Sequence, residues 1–103
     1  MAAVQNNPTI TLPGVHNVLE LYPDRVVIHR KSLYSRAFSS DRVLPFTAIV
    51  NVQLFECRFS DHGELRFTLA GAHQETVIFE FKCDQHHNAI AVKNSVEAAL
   101  QTS

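Results

Sequence analysis

Five basic side chains, Arg25, Arg30, Lys31, Arg36 and Arg42, fall within residues 25–42, where Asp41 is the sole acid and the local charge is +4. The flanking segments are acidic, with −2 over residues 1–24 and −3 over residues 43–103. A basic block of this kind can attract phosphates or an anionic lipid surface. Each Lys or Arg near such a surface contributes on the order of 1 kcal/mol in a salt-sensitive way. The same residues suit a solvated sheet edge, because charged edges keep strands from pairing with strangers.

Other chemistry is harder to assemble. None of His16, His29, His62, His73, His86 and His87 forms the i, i+4 pair or Cys/His cluster that zinc requires. His86 and His87 are adjacent, and neighbours on a helix point about 100° apart, so no metal is expected. Cys57 and Cys83 each lie in an apolar run. They read as a reduced pair of small buried hydrophobes, with a disulfide between neighbouring strands permitted but not required. Ser32, Ser35, Ser39 and Ser40 sit in no glycine-flanked elbow, and Cys57 has no evident histidine partner. Gly14, Gly63 and Gly71 are too far apart to form a phosphate loop. Glu64 and Glu80 read as solvated carboxylates on a polar sheet face. No enzyme activity and no cofactor are expected.

The whole-chain charge of −1 and pI near 6.6 argue against nucleic acid as a partner. The one contrary sign is that Tyr34, Arg36 and Phe38 share a parity, as on a base-stacking face. No run of 18 apolar residues exists for a membrane span, and residues 1–14 lack the Lys or Arg that starts a signal peptide, so the expected location is cytoplasmic.

The elements that must position these residues are mostly strands. Residues 1–14, uncharged and containing Pro8 and Pro13, read as an irregular arm or a loosely attached edge segment without core residues, and residues 15–103 as one domain. Two β-rich runs around Val18 and Val27 are joined by Pro23-Asp24, which predicts a hairpin. Residues 31–46 read as a third, bent strand ending near Pro45. In residues 49–59 the apolar parity passes from Val50, Val52 and Leu54 to Phe55, Cys57 and Phe59, predicting a β-bulge near Leu54-Phe55. Leu65, Phe67 and Leu69 alternate with polar neighbours, as do Val77, Phe79 and Phe81, giving a final hairpin. Asp84 is placed as the N-cap of a helix to about Leu100, with a narrow stripe of Ala89, Val92 and Val96.

The chain is therefore mainly β, or α+β by count. Val26-Val27-Ile28, Leu44-Pro45-Phe46 with Ile49 and Val52, the Gly63 to Phe67 run, and Val77-Ile78-Phe79 before the helix resemble the bacterial pleckstrin-homology-like domains of unknown function. The resemblance covers residues 15–100. It implies a curled antiparallel sheet or partly open barrel of six to seven strands, closed by one C-terminal capping helix. It also implies a non-enzymatic scaffold for protein, peptide or headgroup binding, with some bacterial members resembling ring-forming oligomers. The basic first hairpin loop of phosphoinositide-binding relatives is replaced here by Tyr22-Pro23-Asp24-Arg25, with one acid and one base.

The leading expectation is thus a module that binds a protein partner or itself. Tyr22, Val27, Tyr34, Phe38 and Ile78 fall on outward parities and form the candidate interface, with a second small core as the alternative for them. The competing expectation is anionic-ligand binding through Arg25, Arg30, Lys31, Arg36 and Arg42.

Overall fold

Short β-rich runs, the first three joined by two-residue turns, build the first half of the chain into a meander. The structure is a computed structural model and describes residues 7–30, 41–57 and 61–101. Strands β1 (Ile10–Pro13), β2 (Asn17–Leu21), β3 (Arg25–Arg30) and β4 (Arg42–Pro45) form one antiparallel sheet in that order. The Gly14 N–H donates to the Asn17 carbonyl at 2.8 Å, closing the first turn. The Tyr22 N–H donates to the Arg25 carbonyl at 2.8 Å, closing the second around Pro23-Asp24. The register pairs Leu12 with Leu19, Leu19 with Ile28 and Val26 with Leu44, so one apolar row faces inward.

Within residues 1–14, of which 1–6 lie outside the described residues, Ile10–Pro13 form the edge strand β1, and its fully buried Leu12 corrects the expectation that this segment carries no core. Pro13 closes a short edge strand, where a missing N–H costs no interior ladder bond. The proline signal therefore marked the end of a strand and not its absence.

A 3-10 turn, Phe46–Ala48, leads into the second sheet, β5 (Ile49–Phe55), β6 (His62–Leu69) and β7 (Thr76–Lys82), again antiparallel in chain order. The bulge lies between Ile49 and Asn51, at Val50 and not at the expected Leu54-Phe55. Ile49 and Val52 both face the core although they are three residues apart, and Val50 between them is exposed. The extra residue at Val50 absorbs the change of parity. Phe55 then faces outward, and the Arg66 guanidinium lies over its ring at 4.3 Å. Leu65 and Phe67 on β6, with Phe79 and Phe81 on β7, are fully buried as their alternation predicts.

A second 3-10 turn, Cys83–Gln85, carries Asp84 within it, so Asp84, expected as the N-cap, lies inside that turn and the helix begins two residues later at His86. Helix α1 (His86–Gln101) buries Ala89, Val92 and Val96, and these small residues let it lie close on β5. One hydrophobic cluster joins both sheets and the helix. The seven strands do not close into a barrel. Among the described residues the sheets share a single bridge, Gly14 with Phe81. Among the described residues no helix is long and apolar enough to cross a membrane.

Cys57 and Cys83 form a disulfide, with Cα atoms 5.9 Å apart, which corrects the expected reduced and buried pair. Cys57 is half-buried and Cys83 exposed, so neither fills the core. Cys83 has already left β7 for the 3-10 turn, where its side chain no longer follows the inward row of Phe79 and Phe81.

Candidate functional site

Strands β2, β3 and β4 of the first sheet each end the inward row on a polar residue. Asn17 precedes Leu19 on β2, Arg30 follows Ile28 on β3, and Arg42 precedes Leu44 on β4. Asn17 pairs with Arg30 and Ile28 with Arg42 in the register, so the three side chains stand together at one end of the sheet. They face β7 across a cleft of about 240 Å³, completed by Ile28, Val77 and Ile78. Polar side chains on a core-facing parity mark the place where the two sheets separate and the core stops.

The facing edge belongs to β7, the last strand of its sheet. The Glu80 carbonyl points away from β6 and accepts the Val15 N–H at 2.9 Å. Main-chain groups of alternate residues point to the same side of a strand, so those of Ile78 and Thr76 also face this edge. The Gly14–Phe81 bridge ends the pairing there, and among the described residues no strand pairs with Thr76 to Ile78. Ile78 is 48% exposed. At the far end of the cleft Arg42 forms an ion pair with Glu75, and each holds the other in its charged form. Both are half exposed, so this contact is weak and readily exchanged. Arg30 is exposed and makes no ion pair among the described residues.

The other predicted cation lies elsewhere. Arg25 is five residues from Arg30 on β3, which puts it on the opposite face and about 17 Å away along the strand. Its guanidinium pairs with Asp24 at 2.7 Å and lies 4.0 Å over the Tyr22 ring. Lys31 and Arg36, and the interface candidates Tyr34 and Phe38, lie outside the described residues. Two other interface candidates are corrected: Tyr22 and Val27 are 9% and 7% exposed. Both stand apart from the main hydrophobic cluster, so they are buried on the outer side of the first sheet.

That outer side carries a polar chain. The Tyr22 hydroxyl donates to Glu20 Oε1 at 2.8 Å, and His29 Nε2 meets the same oxygen at 2.8 Å. His29 Nδ1 lies 2.8 Å from Asp41. Burial pulls the His29 pKa down, but the hydrogen bonds to Glu20 and Asp41 outweigh it and the net shift is upward. Bonding to His29 holds the Glu20 carboxyl below its ordinary value, against a smaller opposing effect of burial. Donation to Glu20 raises the Tyr22 pKa. Both ring nitrogens of His29 are engaged by carboxylates, so in its protonated form it donates to Glu20 and Asp41 and the arrangement is an ion network.

Sequence reasoning singled out Arg30, Arg42 and Ile78 but not Asn17 or Glu75. Asn17 was legible in principle, since it continues the parity of Leu19 and Leu21. Glu75 was not, because its role depends on how the two sheets face each other. No protein-family model, no curated protein and no solved structure matches this chain.

Proposed function

We propose that the chain is a non-enzymatic interaction module of the pleckstrin-homology-like kind, taking up a partner polypeptide or a second copy of itself along the open edge of β7. The observation that carries this reading is that, among the described residues, no strand pairs with Thr76 to Ile78, and Ile78 is 48% exposed there. An open edge offers main-chain hydrogen bonds to any extended segment, and adjoining pockets select its side chains. Four strands, three strands and a C-terminal helix also agree with the arrangement the sequence resemblance implies.

The test combines solution mass with peptide selection. Ile78→Pro removes an N–H that faces the edge, a change edge strands tolerate. The protein is expected to enrich extended sequences from a displayed random-peptide library, or to form a salt-resistant dimer, and I78P to lose that behaviour. A monomer at low and high salt that enriches nothing beyond I78P overturns the proposal.

A second reading, weak anionic-ligand or lipid-headgroup binding, is favoured by the convergence of Arg30 and Arg42 on one cleft. Salt-sensitive sedimentation with phosphatidylserine vesicles, lost in Arg30→Gln, supports it, and no sedimentation at low salt excludes it. Location turns on the disulfide. A reducing cytosol keeps Cys57 and Cys83 as thiols, whereas an oxidising compartment preserves the bond. Alkylation of the protein before extraction therefore decides the cytoplasmic reading.

A further inference from the structure

We infer that the cleft beside β7 selects an extended peptide carrying an acidic side chain, which pairs with the β7 edge and places its carboxylate between Arg30 and Arg42. This rests on the proposed edge-binding function and names the chemistry of the partner.

Three features of the cleft converge on that ligand. The first is the backbone edge at Thr76 and Ile78, which asks for an extended chain and cannot be satisfied by a free anion. The second is the apolar floor of Ile28 and Val77, suited to a neighbouring aliphatic side chain. The third is the charge at the opposite wall. Arg30 and Arg42 are both on the inward parity of the first sheet, and their guanidinium groups offer forked donors matched to a carboxylate. Asn17, paired with Arg30 in the register, adds an amide donor.

The Arg42–Glu75 pair shows the chemistry the wall accepts, with a carboxylate from the second sheet already on one of the two cations. Glu75 precedes Thr76, so it approaches from the start of β7, and Arg30 has no such partner among the described residues. A second copy fits this wall less well, since twofold pairing of two β7 edges brings the Arg30 and Arg42 of both copies to the same seam. Like charges across an interface oppose association.

The probe is a capped octapeptide of alternating threonine and valine with one central glutamate, compared with its glutamine twin by fluorescence anisotropy. Arg30→Gln is the variant, because Arg30 is exposed and outside any described ion pair, so folding is unaffected and an unchanged melting curve verifies it. The glutamate peptide is expected to bind about tenfold more tightly than its twin, the loss of a charged hydrogen-bond partner, and R30Q to abolish the difference. Equal binding of both twins overturns the carboxylate site while leaving edge binding intact. Binding of inorganic phosphate, lost in R30Q, with neither peptide bound reassigns the cleft to small anions. If neither peptide binds and the chain is an edge-paired dimer, the occupant is a second copy and the inference fails. If neither binds and the chain is a monomer that enriches no library peptide, the edge-binding function fails with it.

Discussion

Breaking the Cys57–Cys83 bond should cost this protein a large part of its stability, and the structure sets the size. The bond joins residues 26 apart in sequence, from the end of β5 to the turn that starts the helix. Closing a loop of that length removes about 12 cal/mol/K from the unfolded chain, or roughly 3.5 kcal/mol at 25 °C. Because Cys57 is half-buried and Cys83 exposed, replacing both by serine opens no cavity in the main core and adds little to this figure. For a domain near this size the loss corresponds to a fall of about 15–25 °C in melting temperature. Urea unfolding followed by circular dichroism, with and without a phosphine reductant, measures it. The denaturant slope supplies an independent mark, since the crosslinked unfolded state is more compact and exposes less surface. The reduced protein should show the steeper slope. Two thiols that alkylate in the unreduced native protein, or urea midpoints that coincide, refute the reasoning.

Two further outcomes follow from the first sheet. A Cβ added at Gly14 meets the Phe79 ring at 2.5 Å and the Glu80 carbonyl oxygen at 2.6 Å, both across the bridge between the sheets, and the Asn17 carbonyl oxygen of its own turn at 2.7 Å. Gly14→Ala is therefore expected to destabilise by about 1–3 kcal/mol in urea unfolding, and an unchanged midpoint contradicts the close approach. The His29 network makes stability depend on pH. With its folded pKa raised, His29 contributes fully below its ordinary value of 6.5, and the contribution is lost as pH rises through the folded value. Glu20, lowered from 4.5, contributes above that value and loses its effect as pH falls through the folded one. The stability difference between wild type and His29→Gln should thus be largest at about pH 4.5–6.5 and shrink on either side, whereas a flat difference up to about pH 9 sinks the assignment.

Local rules carried much of the fold. Pro23-Asp24 presets a two-residue turn, so the hairpin of β2 and β3 is written in four adjacent residues. The alternation at Leu65 and Phe67, and the three- and four-residue spacing of Ala89, Val92 and Val96, repeat at the period of the element they form. Where local signals compete, they misled. Prolines near Leu12 suggested an arm, yet a buried leucine paired with Leu19 outweighs them. A run of apolar residues from Ile49 hid the bulge, because Val50 and Phe55 are both apolar and exposed, Phe55 with the Arg66 guanidinium over its ring.

The sequence by itself determined the strand periods, the turns, the terminal helix and the concentration of positive charge over residues 25–42. Only the tertiary structure decided which of those charges act together. Arg25 and Arg30 belong to one strand, but an odd spacing sends them to opposite faces, while Arg30 and Arg42 are brought together by pairing between strands. Partition into two sheets, the Cys57–Cys83 bond and the Arg42–Glu75 contact likewise depend on how separate elements pack. The physical reason is range: turn and periodicity signals act within a few residues, whereas a cleft is defined by surfaces whose residues meet only after the chain has folded back on itself.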